Sequence, residues 1–509
     1  MPTTEELIEP PLLRTGIPGL DNILLGGLPA DQLYLVEGLP GSGKTTLALQ
    51  FLLAGAANGE PVLYITLSET RRELQIVARS HGWDLSGLHI REMQMPEEIL
   101  SPDRQLTMFH PSELELSELV SAVLQQIEEV QPTRIVFDSL SEMRMLAQSA
   151  LRYRRQVLAL KQFFSGRRTT VLLLDDHTAT SGEDQQIRSI AHGVIRVEQL
   201  ATEYGAERRQ LRVIKMRGVA FRGGVHDFLI RKGGLDIFPR LVASDHPAEF
   251  MGVEVSSGLE SLDSLLGGGL LKGSSTLLLG PAGSGKSSVA IQFVIAAAKR
   301  GERSALFLFD ETKAMLQTRC RKLGMALDPY IEAGLVSLQQ VEPAELSPGE
   351  FASIIRKAIE GRDADHGPAK LVLIDSLNGY LNSMSEEKQL ISQLHELFKY
   401  TNQQGILMLV TLSQSGLAGM GMRSPIDSTY LADTVLMFRF FEIFGRIRKA
   451  ISVVKKRSGG HDNTLRELLM GASGLEIGGA LEDFQGVLTG VPMLRGKEPS
   501  AQPFGESER

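Results

Sequence analysis

Gly280-Pro-Ala-Gly-Ser-Gly-Lys-Ser287 stands between an apolar run, residues 275–279, and a segment, residues 288–299, whose apolar positions recur at helical spacing. It fits the pattern G-x-x-x-x-G-K-[ST], a glycine-rich loop between a strand and a helix. The glycines let successive backbone N–H groups turn toward phosphate oxygens, and the helix dipole favours the same anion. The stretch therefore predicts a phosphate-binding loop (P-loop) in an α/β fold.

A second stretch, Gly38-Leu-Pro-Gly-Ser-Gly-Lys-Thr45, repeats the pattern. The two loop lysines are 242 residues apart (286 − 44), and the acids at 69 and 311 share that offset. A period near 240 residues is too long for a solenoid and indicates two tandem copies of one domain. Each copy alternates apolar runs with helical stretches, which predicts a mostly parallel sheet flanked by helices.

The repeat also predicts where the copies begin and end. We expect a flexible N-terminus, two domains divided near the polar segment 244–247, and a C-terminal tail that is partly disordered. The corresponding residues are 1–14, 15–246, 247–480 and 481–509.

Composition limits the class of protein. Of 509 residues, 42% are apolar and 22% charged, typical of a soluble globular chain, and the net charge of −8 disfavours a chain-wide nucleic-acid surface. The N-terminus carries acids where a signal peptide would carry basic residues, and no apolar run reaches about 18 residues. We expect a cytoplasmic protein that binds neither membrane nor nucleic acid.

The two loops predict ATP and Mg²⁺ as ligands. The loop lysine would reach the β- and γ-phosphates, while a loop hydroxyl and a strand-end aspartate would hold Mg²⁺. The predicted metal ligands are Thr45 with Asp138 and Ser287 with Asp375. The predicted ATP-binding residues are Gly38, Gly41, Ser42, Gly43, Lys44, Thr45 and Thr46 in the first copy, and Gly280, Gly283, Ser284, Gly285, Lys286, Ser287 and Ser288 in the second.

Acidic residues follow the next strand of each copy and are candidates for orienting or deprotonating the attacking group. The second copy has two adjacent acids, Asp310 and Glu311, whereas the first has Ser68 and Glu69. A serine hydroxyl does not act as a base near neutral pH without help. The second site is therefore the better equipped for chemistry.

One basic pair occurs late in each copy, Lys215 with Arg217 in the first and Lys455 with Arg457 in the second. One interpretation is that a neighbouring subunit supplies these cations to the γ-phosphate, as an arginine finger does. The other is a basic strand end in solvent. The sequence leaves both open.

The duplicated loops, the acids and the late Lys-x-Arg together resemble the KaiC family of two-domain ATPases and autokinases of the cyanobacterial circadian clock. The likeness covers residues 12–480 and includes Arg79-Ser-His-Gly-Trp-Asp84, Leu235-Asp-Ile-Phe-Pro239 and Asp433-Thr434. It implies two tandem RecA-like P-loop domains in a homohexameric double ring, with ATP between neighbouring subunits. It also implies that Lys215, Arg217, Lys455 and Arg457 reach across that interface.

In that family the first tier is a slow ATPase, and the second phosphorylates and dephosphorylates an adjacent Ser-Thr pair. By resemblance the pair falls on Ser428 and Thr429, or one residue later on Thr429 and Tyr430. Ser68 replaces an expected glutamate, and the tail does not match the clock protein's. KaiB-like or other regulatory proteins are the partners that the resemblance implies.

These observations predict a KaiC-like ATPase and Ser/Thr autokinase in signalling or circadian-type regulation. The second loop would do the chemistry, and the first would mainly hold the assembly together. Two alternatives remain, a RecA-like DNA-dependent ATPase and a nucleotide-gated assembly protein with little turnover.

Overall fold

The computed structural model describes residues 11–93, 111–147, 149–176, 184–201, 205–245, 252–362, 367–383, 390–414, 430–487 and 493–494. The phosphosite candidates Ser428 and Thr429 lie outside these ranges. The chain divides into two compact units, Met1–Arg240 and Leu241–Arg509. Among the described residues, no helix has the length and apolar character needed to cross a membrane.

Strands and helices alternate through most of the first unit. Its strands are β1 (Leu12–Leu13), β2 (Leu28–Pro29), β3 (Leu33–Gly38), β4 (Val62–Thr66), β5 (His89–Glu92), β6 (Arg134–Asp138), β7 (Thr170–Asp176), β8 (Gly193–Leu200), β9 (Arg208–Met216), β10 (His226–Arg231) and β11 (Gly234–Phe238). Its helices are α1 (Pro18–Ile23), α2 (Lys44–Ala57), α3 (Arg71–His81), α4 (Pro111–Val130), α5 (Leu140–Ala147), α6 (Ala150–Phe164) and α7 (Asp184–Ile190).

Nine of the strands described in this unit form one sheet in the order β11-β10-β9-β8-β3-β7-β6-β4-β5. Pairing is parallel from β8 to β5 and antiparallel from β8 to β11. The carboxyl ends of the parallel strands therefore meet at one edge of the sheet, where such folds bind ligands.

Alternation along the strands places the helices on both faces of this sheet. Tyr34 and Val36 of β3 point into one core, which they share with Leu47 of α2. Leu33 and Leu35 point into the opposite core, which contains residues of α4 to α7. A strand buried on both faces is typical of parallel sheets.

The second unit follows the same plan. Its strands are β12 (Glu254–Val255), β13 (Leu270–Leu271), β14 (Ser275–Gly280), β15 (Ser304–Leu308), β16 (Val336–Gln340), β17 (Leu371–Asp375), β18 (Leu407–Ser413), β19 (Thr434–Ile443), β20 (Arg446–Lys456), β21 (Arg466–Gly471), β22 (Gly474–Ala480), β23 (Phe484–Gln485) and β24 (Met493–Leu494). Its helices are α8 (Glu260–Leu265), α9 (Lys286–Lys299), α10 (Lys313–Lys322), α11 (Asp328–Glu332), α12 (Pro348–Glu360), α13 (Leu377–Ser383) and α14 (Leu390–Gln403).

The described strands of this unit again include a nine-stranded sheet, in the order β16-β15-β17-β18-β14-β19-β20-β21-β22. It is parallel from β16 to β19 and antiparallel beyond. Leu277 and Leu278 of β14 enter opposite cores. The predicted fold, two tandem RecA-like domains with mostly parallel sheets flanked by helices, is confirmed.

Candidate functional site

The loop of the second unit, residues 280–287, lies at the carboxyl edge of its sheet between β14 and α9. Gly283 and Gly285 have φ of +77° and +108°, a left-handed backbone that glycine adopts readily. Ser284 Oγ donates to the carbonyl oxygen of Pro281 at 2.8 Å. The loop is therefore closed by its own contacts before the helix begins.

The loop lysine lies at the centre of this turn. Lys286 Nζ donates to the carbonyl oxygens of Gly280 at 2.9 Å and Pro281 at 2.8 Å. Burial lowers the pKa of Lys286 to about 8, against the charges of Asp375 and Asp310, which favour the ammonium. The ammonium group is thus oriented beside two carboxylates, where phosphate oxygens would add further negative charge.

Asp375 ends β17 and joins two hydroxyl groups from other elements. Ser287 Oγ donates to Asp375 Oδ1 at 3.0 Å, and Thr411 Oγ1 of β18 donates to the same oxygen at 2.5 Å. Burial raises the pKa of Asp375, while the two hydroxyl donors act in the opposite direction. The loop hydroxyl and the carboxylate are close enough to share one hard cation.

The two acids after β15 have different partners. Ser376, which a cis peptide bond joins to Asp375, donates to Asp310 Oδ2. Glu311 accepts both nitrogens of the Arg319 fork, Nε to Oε1 at 3.2 Å and Nη2 to Oε2 at 2.7 Å. Arg319 Nη1 also donates to Ser288 Oγ at 3.0 Å.

A cavity of about 750 Å³ opens beside this loop. That volume falls within the range of small-molecule sites. Its lining combines the loop, helix α10 and strands β20 and β21: Gly283, Gly285, Lys286, Ser287, Ser288, Glu311, Ala314, Met315, Thr318, Arg319, Lys322, Leu323, Lys449 and Met470.

The first unit places residues 38–45 in the same position, between β3 and α2. Gly41 and Gly43 have φ of +79° and +105°, close to the values in the second loop. Ser42 of the loop and Thr46 in the first turn of α2 are both buried. The predicted ATP-binding residues of each unit are thus brought together.

Lys44 makes the contacts of its counterpart and one more. Its Nζ donates to the carbonyl oxygens of Gly38 at 2.9 Å and Leu39 at 3.0 Å. It also forms an ion pair with Asp176 Oδ1 at 2.7 Å. In the second sheet the strand position opposite the loop glycine is held by Ser413, so that unit has no carboxylate there.

Asp138 ends β6 and accepts a hydrogen bond from Tyr64, whose hydroxyl lies 2.5 Å from Oδ2. Burial raises the pKa of Asp138 to about 6, although the Tyr64 bond and the charge of Lys44 lower it. A cis peptide bond follows Asp138 too, and Ser139 donates to Glu142. The aspartate is therefore in place, but its partners differ from those of Asp375.

Glu69 is half-buried at the edge of the first loop. Burial and the nearby charges of Asp138 and Glu73 raise its pKa to about 7, while a hydrogen bond with Thr45 acts against them. Ser68, beside it, is exposed. The predicted metal ligands Thr45 and Asp138 and the predicted catalytic residue Glu69 thus share one corner of the site.

The late basic pairs are not brought to the loops of their own units. Lys215 of β9 pairs with Val194 of β8. The residue before Val194, Gly193, pairs with Tyr34 near the start of β3, the strand that leads into the loop. Arg217 donates its backbone N–H to the carbonyl of His192. Both cations therefore lie toward the amino edge of the sheet, roughly 15 Å of strand from the P-loop.

Carbonyl groups at the end of α7 hold the first pair. Lys215 Nζ donates to Arg188 O at 2.5 Å and Ala191 O at 2.7 Å, and Arg217 Nη2 donates to Ser189 O at 2.7 Å. Burial, Arg217 and Lys161 lower the pKa of Lys215. This cluster is thus strongly cationic.

The second pair occupies the same edge of its sheet. Lys455 pairs with Val435 across the strands and donates to Ala432 O at 2.7 Å. Arg457 lies 3.4 Å from Asp433 Oδ1. In this unit a carboxylate partly compensates the arginine.

Four side chains contact the predicted residues although no sequence motif predicted them. Tyr64 and Thr411 contact the strand-end aspartates, Asp176 pairs with Lys44, and Arg319 pairs with Glu311. Three of them, Tyr64, Thr411 and Asp176, could have been found from the sequence, because each is a polar residue within or at the end of an apolar strand run. For Arg319 we find no such signal, because a basic residue on an amphipathic helix is ordinary.

Comparisons with known proteins agree with this geometry. The family model for the KaiC ATPase matches twice, at residues 13–242 and 255–482. The circadian clock oscillator protein KaiC of Synechococcus elongatus is 28% identical over 487 residues, covering 94% of this chain and 91% of that protein. The same-named protein of Acaryochloris marina is 27% identical over 490 residues (95% and 92%), and the circadian clock protein KaiC3 of Synechocystis sp. is 26% identical over 485 residues (94% of each).

Proposed function

The chain belongs to the KaiC ATPase family, and from that premise we propose that it binds ATP and Mg²⁺ at two sites per chain within a homohexameric double ring, and that the second site hydrolyses ATP. The observation that carries the proposal is the convergence of the loop lysine, the strand-end aspartate and a glutamate at the carboxyl edge of both sheets. Phosphoryl transfer needs these parts: a cation on the phosphates, a metal ligand and a group that orients the nucleophile.

The oxygen donors fit Mg²⁺ in both units. Ser287 and Asp375 are already in contact, and Thr45 lies in the same corner as Asp138. When bound, Mg²⁺ would neutralise charge on the β- and γ-phosphates. The residues of the chain would hold and orient the nucleotide around it.

At the second site Glu311 is the proposed base. As the attacking oxygen bonds to the γ-phosphorus, its proton passes to the Glu311 carboxylate, and the bridging oxygen leaves with ADP. Both carboxylate oxygens keep a free lone pair while they accept the Arg319 fork. Asp310 accepts a hydrogen bond from Ser376, and its negative charge would help keep Lys286 protonated.

The proposed ring is supported by the position of four cations at the opposite edge from their own loops: Lys215, Arg217, Lys455 and Arg457. A cation there can act on a γ-phosphate only if that phosphate belongs to another subunit. A head-to-tail contact that places this edge against a neighbour's loop generates a closed ring when the rotation closes. The hexamer, with ATP between subunits, is the family's assembly.

We further propose that the second site phosphorylates its own chain at Ser428 or Thr429. Relatives named as circadian clock proteins support a role in circadian-type or other signalling. KaiB-like or other regulatory proteins would be its partners in the cytoplasm.

Incubation of the intact protein with γ-labelled ATP tests these assignments. We expect ADP release, and label on residues 424–434 after proteolysis and mass mapping. Absence of label there would remove the kinase while leaving the ATPase. Strong stimulation of turnover by single-stranded DNA would instead favour a DNA-dependent ATPase, and rings with negligible turnover would favour an assembly protein.

A further inference from the structure

We propose that Arg319 is a positioning residue of the second site, which fixes the carboxylate of Glu311 to the first turn of the nucleotide-binding helix α9. The inference rests on the proposed function, because it deepens the role given there to Glu311. It also explains how two sites with the same loop and the same glutamate can differ in activity.

The guanidinium contacts link three elements. Two nitrogens of the fork hold both oxygens of Glu311, which follows β15, and the third nitrogen holds Ser288 Oγ in the first turn of α9. Burial works against the charged guanidinium, but the hydrogen bond and charge of Glu311 more than offset it and raise the pKa of Arg319. Paired N–H···O bonds of this kind fix the plane of a carboxylate as well as its position.

The helix that carries Arg319 is itself anchored. The side chain of Thr312 caps α10 by accepting the backbone N–H of Met315 at 3.3 Å. Leu316 and Cys320 are fully buried against the core of the unit. Arg319 therefore extends from a rigid element, which is what positioning a catalytic group requires.

In the described part of the first unit, the residue at the position of Arg319 is aliphatic. Val77 stands at the corresponding place on α3, since it precedes Arg319 by the same 242 residues that separate the loop lysines (319 − 77). Leu74 and Ala78 take the buried positions of Leu316 and Cys320. Val77 is partly buried against the same core as they are, and an aliphatic side chain has no donor for Glu69.

The consequence is a difference in how the two glutamates are held. Glu311 is tied to α9, so its distance from a nucleotide bound at the loop is set by the protein. Among the described residues, Glu69 is hydrogen-bonded to the hydroxyl of Thr45 in its loop and to no guanidinium. Because a displacement of about 1 Å can lower a rate by about 100-fold, a fixed carboxylate gives the second site the higher turnover.

Steady-state ATP hydrolysis in a Glu69→Gln background, which reports the second site, tests the inference. We expect Glu311→Gln to lower kcat about 100-fold, as loss of a general base does. Arg319→Val, which installs the residue of the first unit, should lower kcat about 10-fold while KM for ATP changes by less than about threefold. Arg319→Lys should recover part of kcat, because it restores the charge without the fork.

A double variant separates positioning from an independent role. If Arg319 acts through Glu311, adding Arg319→Val to Glu311→Gln should lower kcat no further. A further 10-fold loss in the double variant, or a rise in KM alone, would overturn the inference and make Arg319 a nucleotide-binding residue. Urea unfolding of each variant checks that the second unit stays folded.

The same series distinguishes failure of the inference from failure of the proposed function. Retained turnover in Glu311→Gln would remove the proposed base, and the inference with it. Loss of turnover in Glu311→Gln together with wild-type kcat in Arg319→Val would overturn the inference alone.

Discussion

At the scale of single residues, the two loop lysines have the same backbone contacts but different acidic neighbours. Lys44 forms an ion pair with Asp176. Lys286 donates hydrogen bonds to carbonyl groups, and the charges of Asp375 and Asp310 stabilise its ammonium form without direct contact. ATP must compete with the Asp176 carboxylate for Lys44. The two sites are therefore not interchangeable copies.

We predict that Lys286→Ala abolishes label incorporation and lowers second-site turnover by at least about 100-fold, because it removes the loop cation that would contact the β- and γ-phosphates. Lys44→Ala should mainly reduce the fraction of rings, since the first site would use ATP to hold subunits together. Size-exclusion chromatography with light scattering and an ADP-release assay measure the two effects. If both variants assemble normally and lose equal activity, the division of labour is wrong.

We expect a buried histidine, His226, to make the stability of the first unit depend on pH. His226 Nδ1 accepts the backbone N–H of Arg240 at 2.9 Å, and its other nitrogen lies 3.0 Å from the carbonyl of Arg222. Burial lowers the pKa of His226 from 6.5 to about 4, although the Arg222 bond acts the other way. The folded unit therefore holds the neutral ring, with no room for a proton on Nδ1.

The sign follows from linkage: between about pH 6.5 and 4 the unfolded chain binds a proton that the folded chain does not. The contribution of His226 to the free energy of unfolding is therefore largest above about pH 6.5. It decreases as the pH falls and is lower by about 2 kcal/mol at pH 5. Urea unfolding of the wild type and of His226→Gln at pH 7.5 and 5 should show a smaller pH dependence in the variant. Equal slopes would contradict the prediction.

The sequence identified the residues that a local motif defines and missed those that only the tertiary fold supplies. Lys286 and Asp375 were visible because the loop pattern and a strand-end acid are local. Thr411 reaches Asp375 only because β18 pairs beside β17, and that strand order cannot be derived from spacing. The same holds for Arg319, which depends on the orientation of α10.

At the scale of elements, the second loop is packed tightly against the antiparallel part of its sheet. A Cβ on Gly285 would lie 2.8 Å from Leu468 Cδ2 and 3.0 Å from Met470 Sδ, both in β21. The glycine also has φ of +108°. Both the conformation and the space exclude a larger residue there.

We predict that Gly285→Ala destabilises the second unit by about 1–3 kcal/mol more than Gly301→Ala, and weakens ATP binding. Gly301 is the matched control, since its φ is +76° but nothing lies within 4 Å of its added Cβ. Urea unfolding and binding of a fluorescent ATP analogue measure the two effects. Equal destabilisation by the two variants would mean that the contact with β21 is unimportant.

The element order was predictable because each parallel strand is an apolar run buried on both faces. The pattern did not predict the antiparallel extension, β9 to β11 and β20 to β22, in which exposed and buried residues mix. The lysines of the basic pairs lie in β9 and β20 and the arginines directly follow these strands, so the sequence left the role of the pairs open between an interface and a solvent-exposed strand end.

At the scale of the whole molecule, each unit carries its loop at one edge of the sheet and its basic pair at the other. If neighbours complete each other's sites, a Lys286→Ala chain should complement a chain with Lys455→Ala and Arg457→Ala. In an equal mixture, half of the chains have an intact loop and the other half have an intact basic pair. With random assembly, an intact loop therefore faces an intact pair at about one interface in four. We therefore expect about a quarter of wild-type second-site turnover from an equal mixture.

The mixture should be formed by disassembling and reassembling the two proteins with ATP, and each variant alone is its control. An activity no greater than the mean of the two separate proteins would contradict catalysis across the interface. Wild-type protein mixed with either variant checks that reassembly itself preserves activity.

The two-edged layout of the sheet also has a genetic consequence. A chain that lacks both its loop lysine and its basic pair silences its own site and the site of the neighbour that it serves. A minority of such chains, co-expressed with the normal protein, would therefore inactivate up to about twice their own number of sites. Such alleles should behave as dominant negatives, whereas chains too damaged to enter the ring should be recessive.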